Sequence, residues 1–166
     1  MPHKKFILTK AAAALKLQRL ALEVAEQLND NTTELIIIGI KNSGITIAEK
    51  IAMLLKEHIQ QPIHVIAVTL NKANPNEVTL SESINFDHKN ILICDDVSNS
   101  GKTLLYALKP LLHFHPKSIQ TLVLVERMHK QFPINPDYVG LSLATTLQEN
   151  IIVEIDNNEV VGAYIE

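Results

Sequence analysis

A chain of 166 residues, 46% of them hydrophobic, can build one domain around a substantial core; with 4% aromatics and no tryptophan, that core is Ile, Leu, Val and Ala. A formal net charge of −3 excludes bulk electrostatic attraction to nucleic acid or an anionic membrane. The single cysteine, Cys94, excludes an intramolecular disulfide, fits a reducing compartment and reads as a small buried apolar residue.

The first ten residues carry lysines but no apolar h-region follows, and no apolar run has the length of a membrane helix, so a cytoplasmic location is expected. Ala13, Leu17, Leu20, Ala21, Val24 and Leu28 recur at helical spacing, which predicts an amphipathic helix over 10–29, stopped by Asn29-Asp30-Asn31. Residues 34–39 contain Leu-Ile-Ile-Ile, a continuous apolar run, the pattern of a strand covered on both faces. After a turn at 41–44, Ile45, Ala48, Ile51, Ala52 and Leu55 mark a second helix. A strand is expected over 63–70, then a polar excursion over 71–90 with weak strand potential at 78–80; connections of that length tend to be functional or mobile. A buried strand at 91–93, a loop, a helix over 104–112 and a strand over 118–126 follow. His113 and His115 beside Pro116 read as a helix-end turn rather than a metal pair. Three short extended pieces, 138–143, 151–155 and 160–165, read together as a β-rich appendage beside the main sheet. Two strand–turn–helix units imply a parallel sheet with right-handed crossovers.

The segment Ile91-Leu-Ile-Cys-Asp-Asp-Val-Ser-Asn-Ser-Gly-Lys-Thr103 concentrates the chemistry. An apolar strand ends in Asp95 and Asp96, in the part of an open α/β sheet where ligands bind. The glycine-containing loop then runs into a helix, offering free N–H groups and a positive dipole end to a phosphate. The paired carboxylates can hold sugar hydroxyls or a divalent cation, so the segment describes a site for a phosphorylated sugar. Gly101-Lys102-Thr103 also invites a nucleotide P-loop, but Asp96 stands where that motif needs its first glycine, and a carboxylate there repels the phosphates. An Asp-Asp pair alone can simply cap a turn; the spacing to Ser100-Gly101-Lys102-Thr103 favours the functional reading.

These residues resemble the 5-phosphoribosyl diphosphate (PRPP) motif of type I phosphoribosyltransferases: apolar residues, an acidic pair, variable positions, Ser or Thr, Gly, a variable position and Thr. Ile38-Gly-Ile-Lys-Asn-Ser-Gly-Ile45 is similar to that family's pyrophosphate loop, and residues 122–140 resemble the PyrR-type branch, uracil phosphoribosyltransferases that also bind RNA. The resemblance covers the chain from about residue 10 onward. It implies an α/β type I phosphoribosyltransferase fold in one domain over 1–166: a central, mostly parallel sheet flanked by helices, with a small β-rich hood over about 128–166 and a mobile loop over about 71–90. By the same resemblance Asp95 and Asp96 hold the ribose hydroxyls with Mg2+ nearby. Val97, Ser98, Asn99, Ser100, Gly101, Lys102 and Thr103 hold the 5′-phosphate. Lys41, Asn42 and Ser43 face the pyrophosphate across a turn with a strained or cis peptide, and Lys72 is the mobile-loop cation. Arg127, at the end of an apolar strand, is a candidate to contact the base or a carboxylate partner; Tyr138 either stacks on a base or packs, and Ile152 is a further candidate on the base or hood side.

The implied reaction transfers phosphoribose from PRPP, with Mg2+, to a nucleobase, uracil by branch, and releases pyrophosphate. The alternatives are a PyrR-like regulator that binds RNA or nucleotide with little or no catalysis, and a transferase of the same fold with another acceptor. A homodimer or larger homo-oligomer is implied as well. Ser43 replaces a basic residue of the branch, and Leu22 stands where its RNA-contacting His would be, which argues against RNA binding. Purine-specific members carry Asp where this chain has Asn99, an amide that is no base near neutral pH, so a pyrimidine is favoured.

Overall fold

The computed structural model describes residues 3–28, 30, 32–146 and 148–166. Strand β1 (Lys5–Thr9) leads directly into helix α1 (Lys10–Gln27), whose N-terminus is capped by Thr9: the side-chain oxygen accepts from Ala12 N at 3.1 Å. The helix ends before Leu28; Asn29 and Asn31 of the expected stop lie outside the described residues, while the Asp30 carboxylate accepts the Thr32 and Thr33 amides at 3.0 and 2.6 Å. Strand β2 (Leu35–Ile40), entirely buried, is followed by helix α2 (Ser43–Leu55) and strand β3 (Ile63–Leu70). A short strand β4 (Val78–Leu80) turns back antiparallel on β3 before strand β5 (Asn90–Ser98). Helix α3 spans only Lys102–Ala107, with a 3-10 turn at Lys109–Leu111 after it. The helix expected to reach 112 is cut short because Pro110 brings no N–H and clashes with a preceding carbonyl. Strands β6 (Ser118–Arg127), β7 (Tyr138–Leu143), β8 (Ile151–Asp156) and β9 (Glu159–Ile165) complete the chain.

Six strands form the main sheet in the order β4-β3-β2-β5-β6-β7, parallel except at the β4 edge. The pleat sends alternate residues to two cores. Leu35, Ile37, Leu92, Cys94, Leu122 and Leu124 meet Leu17, Leu20, Ile47 and Ile51 of α1 and α2 on one face. Ile36, Ile38, Ile91, Ile93 and Val123 meet Phe86, Leu104 and Leu111 on the other. Both faces are thus covered, which explains why β2 reads as unbroken hydrophobicity. Among the described residues no helix is long and apolar enough to cross a membrane.

Two expectations are corrected. Residues 138–143 belong to the main sheet, not to an appendage over 128–166: β7 runs parallel to β6, with Tyr138 opposite Leu122 and Leu143 opposite Arg127. Gly140 permits the approach, since a Cβ there would stand 2.4 Å from Leu124 O, and Arg19 Nη2 caps the carbonyls of Val139 and Gly140 at 2.8 and 3.0 Å. The second sheet instead takes its third strand from the other end of the chain, in the order β1-β9-β8. Its β8–β9 hairpin turns at Asn157 and Asn158, both at positive φ, and Asn158 is tied to Thr46 and Glu49 of α2 at 3.0 and 2.9 Å. The excursion over 71–90 also divides. Phe86 is fully buried against Phe114, and Val78, Leu80 and Ile84 pack with it on the sheet, whereas residues 71–74 after β3 are exposed.

Candidate active site

The strand carrying the acidic pair does not stop before it. β5 continues through Asp95 and Asp96 to Ser98, hydrogen-bonded to β6 in register, with Asp95 opposite Val123 and Ser98 opposite Glu126. Asp95 is therefore a core position, 1% exposed, occupied by a carboxylate. Its Oδ1 accepts the Asp96 amide at 2.9 Å, while its buried Oδ2 accepts no hydrogen bond. Lys72 Nζ, on the segment after β3, stands 3.6 Å from that oxygen. Burial and the neighbouring Asp96 push the Asp95 carboxyl well above the usual carboxylate range, against the opposing pull of Lys72. Asp96 is less buried, and its Oδ1 accepts the Val97 amide at 2.8 Å.

The chain then wraps a cleft lined by Lys72 and residues 97–104. Gly101 takes a left-handed φ of +88°, which lets the loop turn into α3. Ser98 is buried with an unpartnered Oγ, Asn99 is exposed, and Ser100 Oγ accepts the Lys102 amide at 3.3 Å. Behind the loop, the Gln131 and Phe132 amides both donate to Ser100 O at 3.0 Å. No sequence signal announced that bracing, because residues 128–137 follow neither a helical nor a strand period.

The turn between β2 and α2 reaches the same end of the sheet. The Lys41–Asn42 peptide is cis, as the resemblance implied. The Lys41 and Asn42 side chains are exposed, and Asn42 makes no capping bond to α2, so both are available to a ligand. Gly44 joins this turn to the acidic strand, since a Cβ there would lie 2.6 Å from Cys94 O and 3.2 Å from Asp95 Oδ1. The structure thus brings Lys41–Ser43, Lys72, Asp95, Asp96 and the 97–103 loop to the C-terminal edges of β2, β3 and β5, where ligands bind in sheets of this kind.

The three base-side candidates are not gathered with them in the same way. Arg127 ends β6 at the correct edge, but its Nη2 donates to Glu149 O and its Nε is buried without a partner. Tyr138 lies at the far end of β7, 4% exposed, with its hydroxyl on Gln120 Oε1 at 2.7 Å; burial holds its pKa up at about 12. A ring packed there does not stack on a ligand at the opposite edge, so Tyr138 is a core residue. Ile152 sits in β8 opposite Tyr164, between Ile151 and Val153, which point into the core.

Comparison with known proteins bears on the family and the fold. The phosphoribosyl transferase domain family matches residues 5–157. The chain is 34% identical over 173 aligned positions to the bifunctional protein PyrR of Leuconostoc mesenteroides subsp. mesenteroides, covering 97% of this chain and 98% of that one. It is 33% identical over 177 positions to the bifunctional protein PyrR of Clostridium novyi, covering 99% of each. Among solved structures, the hypoxanthine phosphoribosyltransferase of Trypanosoma cruzi superposes with a TM-score of 0.78 at 16% identity, covering 97% of this chain and 95% of that one. A hypoxanthine-guanine phosphoribosyltransferase of Bacillus anthracis gives 0.74 at 17% identity, covering 98% and 97%. At such identities the two structures speak for the fold alone. The fold, the matched domain and the PyrR relatives agree, and the chain belongs to the phosphoribosyltransferase family, among the PyrR proteins.

Proposed function

We propose that this phosphoribosyltransferase transfers the phosphoribosyl group of PRPP to uracil and releases pyrophosphate. The observation that carries the site assignment is Asp95: a buried carboxylate with one unsatisfied oxygen, beside a cation and next to the cleft lined by residues 97–104. A core does not keep such a group for stability. In this reading Asp95 and Asp96 accept the ribose hydroxyls, and the amides and hydroxyls of residues 97–103 hold the 5′-phosphate. Lys41, Asn42 and Ser43 line the pyrophosphate side. Uracil nitrogen attacks the anomeric carbon, the bond from that carbon to the diphosphate oxygen breaks, and the nitrogen's proton leaves to solvent. Asn99 carries no basic group for a purine ring, which supports a pyrimidine acceptor.

Mg2+ fits this donor set. The unsatisfied Asp95 oxygen and the Asp96 carboxylate are hard oxygen ligands. Among the described residues no cluster of three or more His, Cys, Asp or Glu side chains could hold a metal, so most of the coordination falls to PRPP and water. When bound, the ion supplies charge neutralisation for the departing pyrophosphate. The chain's own contribution is positioning: two rigid loops fix the phosphate and diphosphate ends, leaving the anomeric carbon exposed to the base.

Thermal shift with PRPP and Mg2+, followed by pyrophosphate release across a panel of bases, tests the reading. Stabilisation by PRPP with turnover on uracil is expected. No PRPP-dependent stabilisation overturns the site; stabilisation without turnover on any base turns the proposal to the regulator that binds RNA or nucleotide. A cytoplasmic homodimer or larger homo-oligomer completes the proposal, supported by the exposed Leu15, Leu22 and Met53, and light scattering measures it.

A further inference from the structure

The phosphate loop is braced by residues that touch no ligand. Ser100 O accepts two backbone donors, from Gln131 and Phe132, at 3.0 Å each. Gly101 packs so closely behind it that a Cβ would lie 3.3 Å from Phe132 O and 3.6 Å from Ile134 O. The bracing residues lie in the connection from β6 to β7, which has no helix or strand to stiffen it. That connection is pinned at its start by Glu126, the register partner of Ser98. Glu126 Oε2 meets Lys130 Nζ at 2.8 Å, and Glu126 Oε1 accepts Ser142 Oγ of β7 at 2.7 Å. The Lys130 and Glu126 side chains are 12% and 15% exposed, both largely shielded, so solvent screens this pair little.

We propose that the Glu126–Lys130 ion pair is a positioning device for the phosphate loop, holding residues 131–132 where their amides fix the Ser100 carbonyl. Exposed ion pairs contribute little, but breaking a shielded one leaves an uncompensated charge, and here the segment that would relax is the one on which the loop rests. Neither side chain reaches the ligand; the effect passes through backbone. The inference rests on the reading that residues 97–103 hold the 5′-phosphate.

Lys130→Met, Glu126→Gln and Lys130→Arg are to be compared with wild type for PRPP affinity by calorimetry and for KM and kcat on both substrates. Lys130→Met and Glu126→Gln are expected to weaken PRPP binding about tenfold, by loss of preorganisation, with KM for uracil unchanged. Lys130→Arg should restore wild-type affinity, and the Glu126→Gln/Lys130→Met double variant should be no weaker than the weaker single one. Folded single variants that bind PRPP as wild type does would overturn the inference, as would loss of affinity for both substrates alike. If neither single variant folds, amide hydrogen exchange on wild type decides. Gln131 and Phe132 should exchange slowly in the free protein and more slowly with PRPP, and fast exchange of both refutes the brace. Wild type that binds no PRPP refutes the phosphate-loop reading itself, a result distinct from wild-type binding with indifferent variants.

Discussion

Two aspartates at opposite ends of the same sheet show how differently one residue type is used. Asp30, beside the entry to β2, is fully satisfied: Thr32 and Thr33 donate to it through their amides, Thr33 again through its hydroxyl at 2.9 Å, and Lys117 through its ammonium. Lys117 and those donors hold its carboxyl far below the usual carboxylate range. Asp95, at the exit of β5, is driven the other way by burial and by Asp96, and keeps an oxygen unsatisfied. The first carboxylate closes a turn and stabilises the fold. The second is held at a cost to the fold, which supports the proposal that it serves a ligand.

The comparison breaks most decisively if Asp95 is not a ligand group. Asp95→Ala with Asp96→Ala should weaken PRPP binding by at least about a hundredfold, since two charge-assisted contacts are lost. Calorimetry that returns wild-type affinity would refute the assignment. Asp95→Asn should then separate function from stability. It keeps an oxygen for the Asp96 amide and removes the buried charge, so it should raise unfolding free energy at pH 7 by roughly 1–2 kcal/mol while PRPP affinity falls.

The pH dependence follows from the two signs. A carboxyl whose folded pKa is raised contributes stability that is complete below its unfolded pKa of about 3.9 and is lost as pH climbs through the folded value. Urea melts of wild type and Asp95→Asn should therefore diverge as pH rises from 4 to 8. Asp30 has the reverse sign. Its contribution is present above about pH 3.9 and lost as pH falls toward its lowered value. Asp30→Ala should lower Tm near neutrality, lose that deficit in acid, and leave PRPP affinity unchanged.

Lys72→Ala sharpens the contrast at the smaller end. The side chain is about half exposed, so its removal should weaken PRPP binding by only about fivefold, with a shallower salt dependence of affinity. An unchanged salt slope would show that Lys72 serves Asp95 alone.

How far these features were legible in the sequence depended on how local they are. The 91–103 segment announced itself because strand, acidic pair, loop and helix follow one another in the chain, and its family match rests on side chains in fixed spacing. The burial of Asp95 was hidden, because an aspartate pair reads as the end of a strand and nothing local says that β6 continues beside it. Residues 138–143 carry the same alternation whichever sheet they join; the choice is made by Gly140 against Leu124 and by Arg19, more than a hundred positions away. β1 escaped notice for the same reason: five residues, mostly exposed, become a strand only because β9 lies alongside. Tyr138 looked like a ligand contact because an aromatic ring in a variable region can stack or pack, and only the position of Gln120 decides.

Gly44 has a consequence for ligand choice. The hydrogen it carries in place of a side chain lets the Lys41–Ser43 turn rest directly against the backbone of Cys94 and Asp95, which sets the gap between the two turns at the sheet's edge. The pair behaves as a fixed gauge. If the two turns hold the two anionic ends of one ligand, as proposed, that ligand must present them at one separation, so a sugar phosphate that lacks the diphosphate, or carries it on a longer arm, fills one jaw but not both.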